Sequence, residues 1–350
     1  MWHCGELVSA GLPQRTCTDS DFSLLQGLRG TCGTTSDEIF LTITFAFVLT
    51  LLMPFGLMLN IYIIVVNFVR NGMLQTIDSY SMSLCFANCL IILVAFIYML
   101  GITDSLSGHS ALAMHLPTTP NYSCATAYAT YHTASLAASY SLCLMCFDFY
   151  IEASLPIESR PILVGRQHTP HICAFIWGGS LLASFPAILI FGCWNHLNCS
   201  TLRVKQLNDV MIFITAYLVP LVGVTISLYY ISQSRRGPLM SFIGRPSLSV
   251  FCLLLATAGS HFVFWMPHYA LSMVHLNHPW PDPRTSRLLR AVTLSLGLFT
   301  AIVTPTTYCY FRKDFWLQGK LACNAICNCL GKLCRPWQRQ HTPVPQEEVM

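Results

Sequence analysis

Three histidines, His132, His261 and His268, lie inside long apolar stretches, where an ionisable group is costly and often functional. Each could sense protons, because histidine titrates near neutral pH; the favoured alternative is a neutral ring hydrogen-bonded to a neighbouring helix. No metal site is predicted, because the sequence lacks His-x3-His spacing and paired carboxylates. It also lacks a nucleophile–histidine pairing or a phosphate loop in a plausible position, so neither an enzyme nor a cofactor is expected.

The apolar stretches around these histidines dominate the chain. Hydrophobic residues make up 54% of the 350 residues and charged residues only 10%, against about 25% charged in soluble domains. Seven windows lack Asp, Glu, Lys and Arg: 39–69, 79–103, 124–147, 169–193, 210–234, 246–277 and 291–311. A helix crosses the bilayer core in about 20 residues and satisfies its own backbone there. The sequence therefore predicts an all-α membrane protein, a bundle of seven transmembrane helices.

The basic residues predict the orientation of this bundle. With the N-terminus outside, twelve of the 19 Lys and Arg residues fall on the cytosolic side, as the positive-inside rule favours. Segment 1–38 is then extracellular, without a cleavable signal peptide, and 39–311 is the seven-transmembrane domain. We expect a multi-pass protein of the plasma membrane with a cytoplasmic C-terminus. The net charge of +4 is too small and scattered to indicate a nucleic acid partner.

The predicted outer segments carry cysteines and glycosylation triplets. Six of the 17 cysteines face the oxidising side, where disulfides persist, and six cysteines allow 15 pairings. These six are Cys4, Cys17, Cys32, Cys124, Cys193 and Cys199. Asn121 and Asn198 begin N-x-S/T triplets, so both are candidate glycosylation sites, although such triplets also arise by chance.

Motifs within the spans follow the order and spacing of a known family. Asn60 marks the first span; Leu84 to Asn88 is similar to L-A-x-x-D; Asp148-Phe149-Tyr150 is similar to D-R-Y; Phe264 to Pro267 is similar to C-W-x-P; and Thr304 to Tyr308 is similar to N-P-x-x-Y. Together they make the chain resemble a class A (rhodopsin-like) G-protein-coupled receptor. The runs Asp148 to Glu152 and Phe175 to Gly179 resemble an atypical orphan subgroup of that family.

The resemblance implies activation switches and shows where this chain departs from the family. The positions implied are Asn60, Asn88, Asp148, Phe149, Tyr150, Trp265, Pro267, Thr304, Pro305 and Tyr308. Phe149 replaces the arginine that holds the inactive state and then contacts the G protein, so packing or other polar contacts must hold the resting state. Asn88 replaces an aspartate that helps to bind sodium, so weak ion affinity is expected. Thr304 replaces an asparagine and would shift the polar network between spans two and seven.

The resemblance also implies a ligand site between the spans. By position its residues are Tyr98, Tyr131, His132, Ser135, Trp265, His268, Tyr269 and Arg290. Tyr131 stands where amine receptors have aspartate, so a peptide or lipid ligand is favoured over an amine. Arg290 either receives a carboxylate or phosphate, or extends to the lipid headgroups. Trp265 lies two residues before Pro267, where a helix can bend, and either moves on activation or packs beside a fixed kink.

Further expectations concern the loops and the tail. The resemblance implies a disulfide between Cys124 and Cys199, and a short amphipathic helix on the membrane surface at 312–322. The tail, 323–350, is cytoplasmic and is expected to be disordered at its end. Its cysteines are candidates for palmitoylation rather than zinc ligands, because C-x2-C pairs are lacking. They are Cys323, Cys327, Cys329 and Cys334, and the basic residues among them would attract anionic membrane lipid.

Two functions stay open at this point. The leading interpretation is a receptor that transmits the signal of an unidentified extracellular ligand to a heterotrimeric G protein or arrestin. The alternative is a non-coupling decoy, scaffold or partner of another receptor, because Phe149, Asn88 and Thr304 replace residues of the family's switches. A transporter or channel is disfavoured, because inverted repeats, broken spans and intramembrane charges are not evident in the sequence.

Overall fold

The computed structural model describes residues 47–69, 76–107, 120–155, 168–192, 201–236, 248–277, 283–312, 315 and 319. These residues form helices and, within the described ranges, no strand. The helices are α1 (a π-helical turn, Val48–Leu52, then Met53–Val69), α2 (Thr76–Ser107), α3 (Pro120–Ser154), α4 (Thr169–Gly192), α5 (Thr201–Ile212, a π-helical segment Phe213–Leu218, then Val219–Arg236), α6 (Leu248–Asn277) and α7 (Pro283–Leu298 and Thr300–Phe311).

The helices have the length and composition of membrane spans. Six contain a stretch long and apolar enough to cross a bilayer: Thr50–Val69, Thr76–Ile97, Thr126–Ser154, Leu207–Ser234, Leu248–Val274 and Val292–Phe311. The remaining helix, α4, has 24 residues without a charged side chain. The predicted seven-transmembrane helical bundle is therefore confirmed.

The bundle places its polar side chains inside and large apolar side chains outside. Asn60, Asp78, Asn88 and His132 are buried, whereas Phe175 is 83% exposed on the outer surface. A soluble protein would expose polar groups instead and would avoid large apolar patches. This apolar surface suits lipid as its solvent. The buried polar groups bond to each other across helices inside the bundle.

The helices alternate in direction, and hydrogen bonds join their neighbouring ends. At the end where α1 and α7 finish, which we call the tail end, Ser249 Oγ of α6 donates to the Phe311 carbonyl of α7 over 2.7 Å. Ser154 Oγ of α3 and Ser234 Oγ of α5 lie 3.1 Å apart there. At the opposite end, which we call the pocket end, Tyr128 of α3 donates to Asp209 of α5 over 3.5 Å. The central helix α3 packs against α2, α4 and α5.

The π-helical segment in α5 has a local cause in the sequence. Pro220 lacks a backbone N–H and its ring crowds the preceding turn, so a regular α-helix cannot continue through it unchanged. The chain widens over Phe213–Leu218 immediately before this proline. Such single wide turns are frequent at functional sites. Here the wide turn directs Phe213 and Tyr217 toward the pocket end of α6.

Several predicted features lie outside the described residues. These are segment 1–38, Asn198, Cys199, most of 312–322, and tail segment 323–350 with Cys323, Cys327, Cys329 and Cys334. Tyr98, Asn121 and Cys124 lie on described helices, but their side chains are outside the described part. The disulfide, glycosylation and palmitoylation sites therefore stay predictions. Seven cysteines within the described spans carry free thiols: Cys85, Cys89, Cys143, Cys146, Cys173, Cys252 and Cys309.

Candidate functional site

At the pocket end, hydrogen bonds connect α3 with α6. The Tyr131 hydroxyl lies 3.3 Å from Nε2 of His268, and Ser135 Oγ lies 2.8 Å from the Tyr269 hydroxyl. All four side chains are buried. The structure thus brings together, in one cluster, residues that the sequence places 137 and 134 positions apart.

Two histidines in this cluster have ring nitrogens without a hydrogen bond. Within the described residues, both nitrogens of His132 and Nδ1 of His268 lack a partner although they are buried. The His132 ring packs edge-on against Tyr128, with centroids 4.1 Å apart, and against Tyr131 at 5.2 Å. An unsatisfied buried polar group costs free energy. These nitrogens therefore suit a bound molecule or water that offers complementary groups.

Trp265 lies at the base of this cluster and connects it with α7. Its indole Nε1 donates to Thr300 Oγ1 over 3.3 Å, and Thr300 in turn donates to the Gly297 carbonyl over 2.7 Å. The indole meets the Tyr131 ring edge-on at a centroid distance of 6.2 Å. Pro267 lies in the same helix, two residues further on. A displacement of the Tyr131 ring can therefore be transmitted to α7 through the indole of Trp265.

The cluster includes residues of α3 and α5 that the sequence analysis did not select. Asp209 is 7% exposed and accepts a hydrogen bond from Tyr128, whose hydroxyl also accepts one from Asn208 over 3.1 Å. Tyr217 donates to the Phe262 carbonyl of α6 over 3.1 Å. An acidic residue just outside the charge-free window 210–234 was the only signal for Asp209 in the sequence.

One predicted pocket residue, Arg290, lies on α7, where it is partly exposed. Its backbone carbonyl accepts a hydrogen bond from Thr293 over 3.1 Å. His261 lies deeper in α6, where Nε2 is 3.2 Å from Ser139 Oγ of α3. This contact corresponds to the interhelical hydrogen bond that was the alternative to proton sensing for His261.

In the middle of the bundle, Asn60 joins α1 to α7. Its amide donates to the Ala301 carbonyl over 2.6 Å and to the Gly56 carbonyl over 2.7 Å. Asn88 of α2 donates to Asn60 Oδ1 over 3.3 Å. Thr304, next to Pro305 in α7, is buried, and within the described residues its hydroxyl has no hydrogen-bond partner. The acceptor of the Asn60 amide on α7 is thus the Ala301 backbone carbonyl rather than the side chain of Thr304.

At the tail end of α3, Asp148 bonds to a tyrosine of α2. The Tyr80 hydroxyl donates to Asp148 Oδ2 over 2.7 Å, and both side chains are buried. Phe149, in the position of the family's arginine, is 7% exposed and belongs to the apolar core. Tyr150 instead contacts Tyr230 of α5, with ring centroids 5.6 Å apart. Packing and a neutral donor replace an arginine pair at this site.

A second carboxylate at the tail end binds an arginine. Asp78 of α2 accepts a hydrogen bond from Tyr308 over 2.8 Å and pairs with Arg312, whose Nη2 lies 3.1 Å from Oδ1. Asn67 of α1 donates to the Tyr308 hydroxyl over 3.4 Å. Phe315 packs edge-on against Tyr308 with centroids 5.1 Å apart. The sequence analysis selected Tyr308 but missed Asp78, because it treated this residue as the border of a charge-free window.

Removing the Tyr80 hydroxyl should loosen α2 from α3. We expect Tyr80→Phe to lower the free energy of unfolding by about 1 kcal/mol, because Asp148 loses a buried donor. Thermal unfolding of the detergent-solubilised protein measures this. Tyr229→Phe on the exposed surface of α5 is the matched control and should leave the melting temperature unchanged. Equal melting temperatures for the two variants would show that the Tyr80–Asp148 contact contributes no stability.

The fold and its buried polar sites define a multi-pass membrane protein built as a bundle of helices. The model of the 7 transmembrane receptor (rhodopsin family) matches residues 59–308, so the chain belongs to this family. The resemblance drawn from the motifs is confirmed.

Individual relatives agree with this assignment. The chain is 28% identical to G-protein coupled receptor 146 of Xenopus laevis over 340 residues, which cover 92% of each chain. It is also 28% identical to G-protein coupled receptor 146 of Mus musculus over 285 residues, covering 77% of this chain and 80% of that one. Galanin receptor type 2 of Homo sapiens is 26% identical over 195 residues, about half of each chain, 51% and 50% respectively.

Proposed function

We propose that this protein is a plasma-membrane receptor that binds an extracellular ligand at the pocket end and signals to a G protein or arrestin at the tail end. The observation that carries the proposal is the buried cluster in which Tyr131, His268 and Trp265 link α3, α6 and α7. A ligand that binds one arrangement of this cluster more tightly shifts the population of the whole bundle. Membership of the receptor family supports the same function.

The chemistry of the cluster favours a peptide or lipid ligand over an amine. Tyr131 uses its hydroxyl on His268 and offers no carboxylate to an ammonium group. Aromatic rings surround the site, and the buried nitrogens of His132 and His268 offer directional hydrogen bonds within an apolar wall. Such pockets gain affinity from apolar contact and specificity from a few polar groups. Arg290 at the rim would suit an acidic group of the ligand.

The orientation and the signalling function can be tested together. Epitope tags at both chain ends of the expressed protein should be detected outside the cell for the N-terminus and only after permeabilisation for the C-terminus. Purified peptide and lipid fractions are then screened against a panel of G-protein and arrestin recruitment assays. A response that a biogenic amine panel does not produce would support the proposal. Detection of both tags on the same side of the plasma membrane would contradict the predicted orientation, with the N-terminus outside and the C-terminus inside.

Once an active fraction is found, His132→Phe tests the pocket. We expect the potency of the active fraction at this variant to fall about tenfold, because a lost hydrogen bond to a buried group is worth roughly 1.5 kcal/mol. His171→Phe, at an exposed position of α4, is the matched control and should retain full potency. Dose–response curves at equal surface expression measure both. Equal potencies would exclude His132 from the ligand site.

The second candidate is a seven-transmembrane partner or decoy that does not couple. Phe149 favours it, because an apolar buried side chain occupies the position from which the family's arginine reaches the G protein. This candidate predicts normal surface expression, no recruitment of any transducer in the same panel, and an effect on the signalling of a co-expressed receptor.

A further inference from the structure

Building on the proposed function, we infer that Asp78 and Arg312 are the positioning residues that hold the resting conformation. Their ion pair performs the function that the family's arginine performs at the position where this chain has Phe149. The ion pair joins the first turn of α2 to the end of α7, and the two residues are 234 positions apart. It therefore connects different helices from those that the motif around Asp148 would connect.

The contact is buried and has more than one bond. The Asp78 side chain is 0% exposed and that of Arg312 is 15% exposed. Nη2 of Arg312 lies 3.1 Å from Oδ1 and 3.3 Å from Oδ2, while Tyr308 donates to Oδ1 over 2.8 Å. Charge-assisted bonds are stronger than neutral ones, and their strength grows where water is excluded. Both of these donors to the buried carboxylate come from α7 or its end.

The surroundings make α2 the fixed side of this contact. Two residues beyond Asp78, Tyr80 donates to Asp148, so the same turn of α2 is attached to α3. Asn67 of α1 joins Tyr308 from the other side. α1 packs against α2, so α1, α2 and α3 form one block at the tail end, and the end of α7 is attached to that block through Asp78 and Asn67.

The movable side of the contact is connected to the pocket end. α7 carries Thr300, the acceptor of the Trp265 indole, 12 residues before Arg312. α6 is attached to the end of α7, where Ser249 donates to the Phe311 carbonyl. A displacement of Trp265 therefore acts on the helix that carries Arg312. If α7 and α6 move away from the block, the Asp78–Arg312 pair must break.

Arg312→Gln and Asp78→Asn test the pair without changing its shape much. Each should raise basal arrestin or G-protein recruitment about fivefold or more, the range of a typical coupling between two states. Basal recruitment by the double variant should equal that of the single variants within about twofold, because both substitutions remove the same interaction. The control is Thr306→Val on the exposed side of α7, whose hydroxyl donates to the Ile302 carbonyl of the same helix over 2.7 Å, and it should keep wild-type output.

A second measurement follows the conformation directly and does not depend on signalling. Spin labels replace Phe175 on α4 and Tyr310 on α7, both exposed, and are introduced as noncanonical amino acids because the chain has 17 cysteines. Pulsed electron resonance then measures the distance between the two helices. Arg312→Gln should add a population at longer distance, and Thr306→Val should not.

The outcomes separate this inference from the proposed function. A longer distance in Arg312→Gln with no recruitment in any assay supports the ion pair and overturns the signalling function. Recruitment in the wild-type protein with an unchanged distance and unchanged basal output in Arg312→Gln overturns the ion pair and keeps the receptor. If the effects of the two single variants on basal recruitment are additive in the double variant, Asp78 and Arg312 act independently.

Discussion

Gly297→Ala is expected to destabilise the protein by about 1–3 kcal/mol, the usual cost of overpacking a buried contact. A Cβ atom at residue 297 would lie 2.7 Å from Cε3 and 2.8 Å from Cζ3 of Trp265, closer than any van der Waals contact allows. The indole is 2% exposed and is bonded to Thr300, so it has little room to move without breaking that bond. We therefore also expect a change in basal signalling, because the displaced ring acts on α6 and α7 together.

The matched control is Gly259→Ala in α6, where an added Cβ has no described atom within 4 Å. This change should leave the melting temperature equal or slightly higher, since alanine favours the helix by about 1 kcal/mol over glycine. Thermal unfolding in detergent and basal recruitment at equal surface expression are the two readouts. If Gly297→Ala behaves like Gly259→Ala, the close packing of Trp265 against α7 is unimportant for stability and signalling.

A double variant shows whether the effect arises at Trp265. Replacing the indole by a smaller ring, in Trp265→Phe, creates space for the new methyl group of Gly297→Ala. The double variant should therefore lose less stability than the sum of the single variants, as expected of residues in direct contact. Additive losses would place the cause of the Gly297→Ala effect elsewhere in α7.

The transmembrane architecture could be predicted from the sequence because lipid imposes a simple rule on composition. Charge-free windows of sufficient length identify spans, and each window overlaps a helix of the structure. The rule fails at the borders. Asp78 and Asp148 end windows in the sequence but lie inside α2 and α3, because Tyr80, Tyr308 and Arg312 satisfy their carboxylates. A single sequence does not show which distant donors meet a given carboxylate.

The candidate site was predictable only as far as the family motifs extend. They selected Tyr131, His268 and Trp265, which the structure brings into contact. They offered no signal for Asp78, Arg312 or Gly297, since these residues match no family motif. Their role depends on pairings between helices that are far apart in the chain, and local spacing contains no information about such pairings. The substitution at Phe149 predicted that other contacts must hold the tail end, but not which contacts.

Phe149→Arg, which restores the family's arginine, is expected to destabilise this protein rather than improve it. Phe149 is buried in the core at the tail end, and a buried charge without a partner is costly, up to about 2.5–3.5 kcal/mol for an arginine at the centre of the bilayer. The neighbouring Asp148 already receives the Tyr80 hydroxyl over 2.7 Å, so a new guanidinium would have to compete for that carboxylate. Lower surface expression, a lower melting temperature and altered basal output are the expected results.

Two controls separate burial of the charge from loss of the ring. Phe149→Leu keeps an apolar side chain and should cost less, as apolar substitutions of similar size usually stay below about 1.5 kcal/mol. Phe147→Arg places the same charge on a residue that is 44% exposed, where the long side chain can reach the membrane surface. If Phe149→Arg is as stable as Phe149→Leu and lowers basal output, the tail end accepts an arginine pair with Asp148. The resting state would then not depend on Asp78 and Arg312 alone.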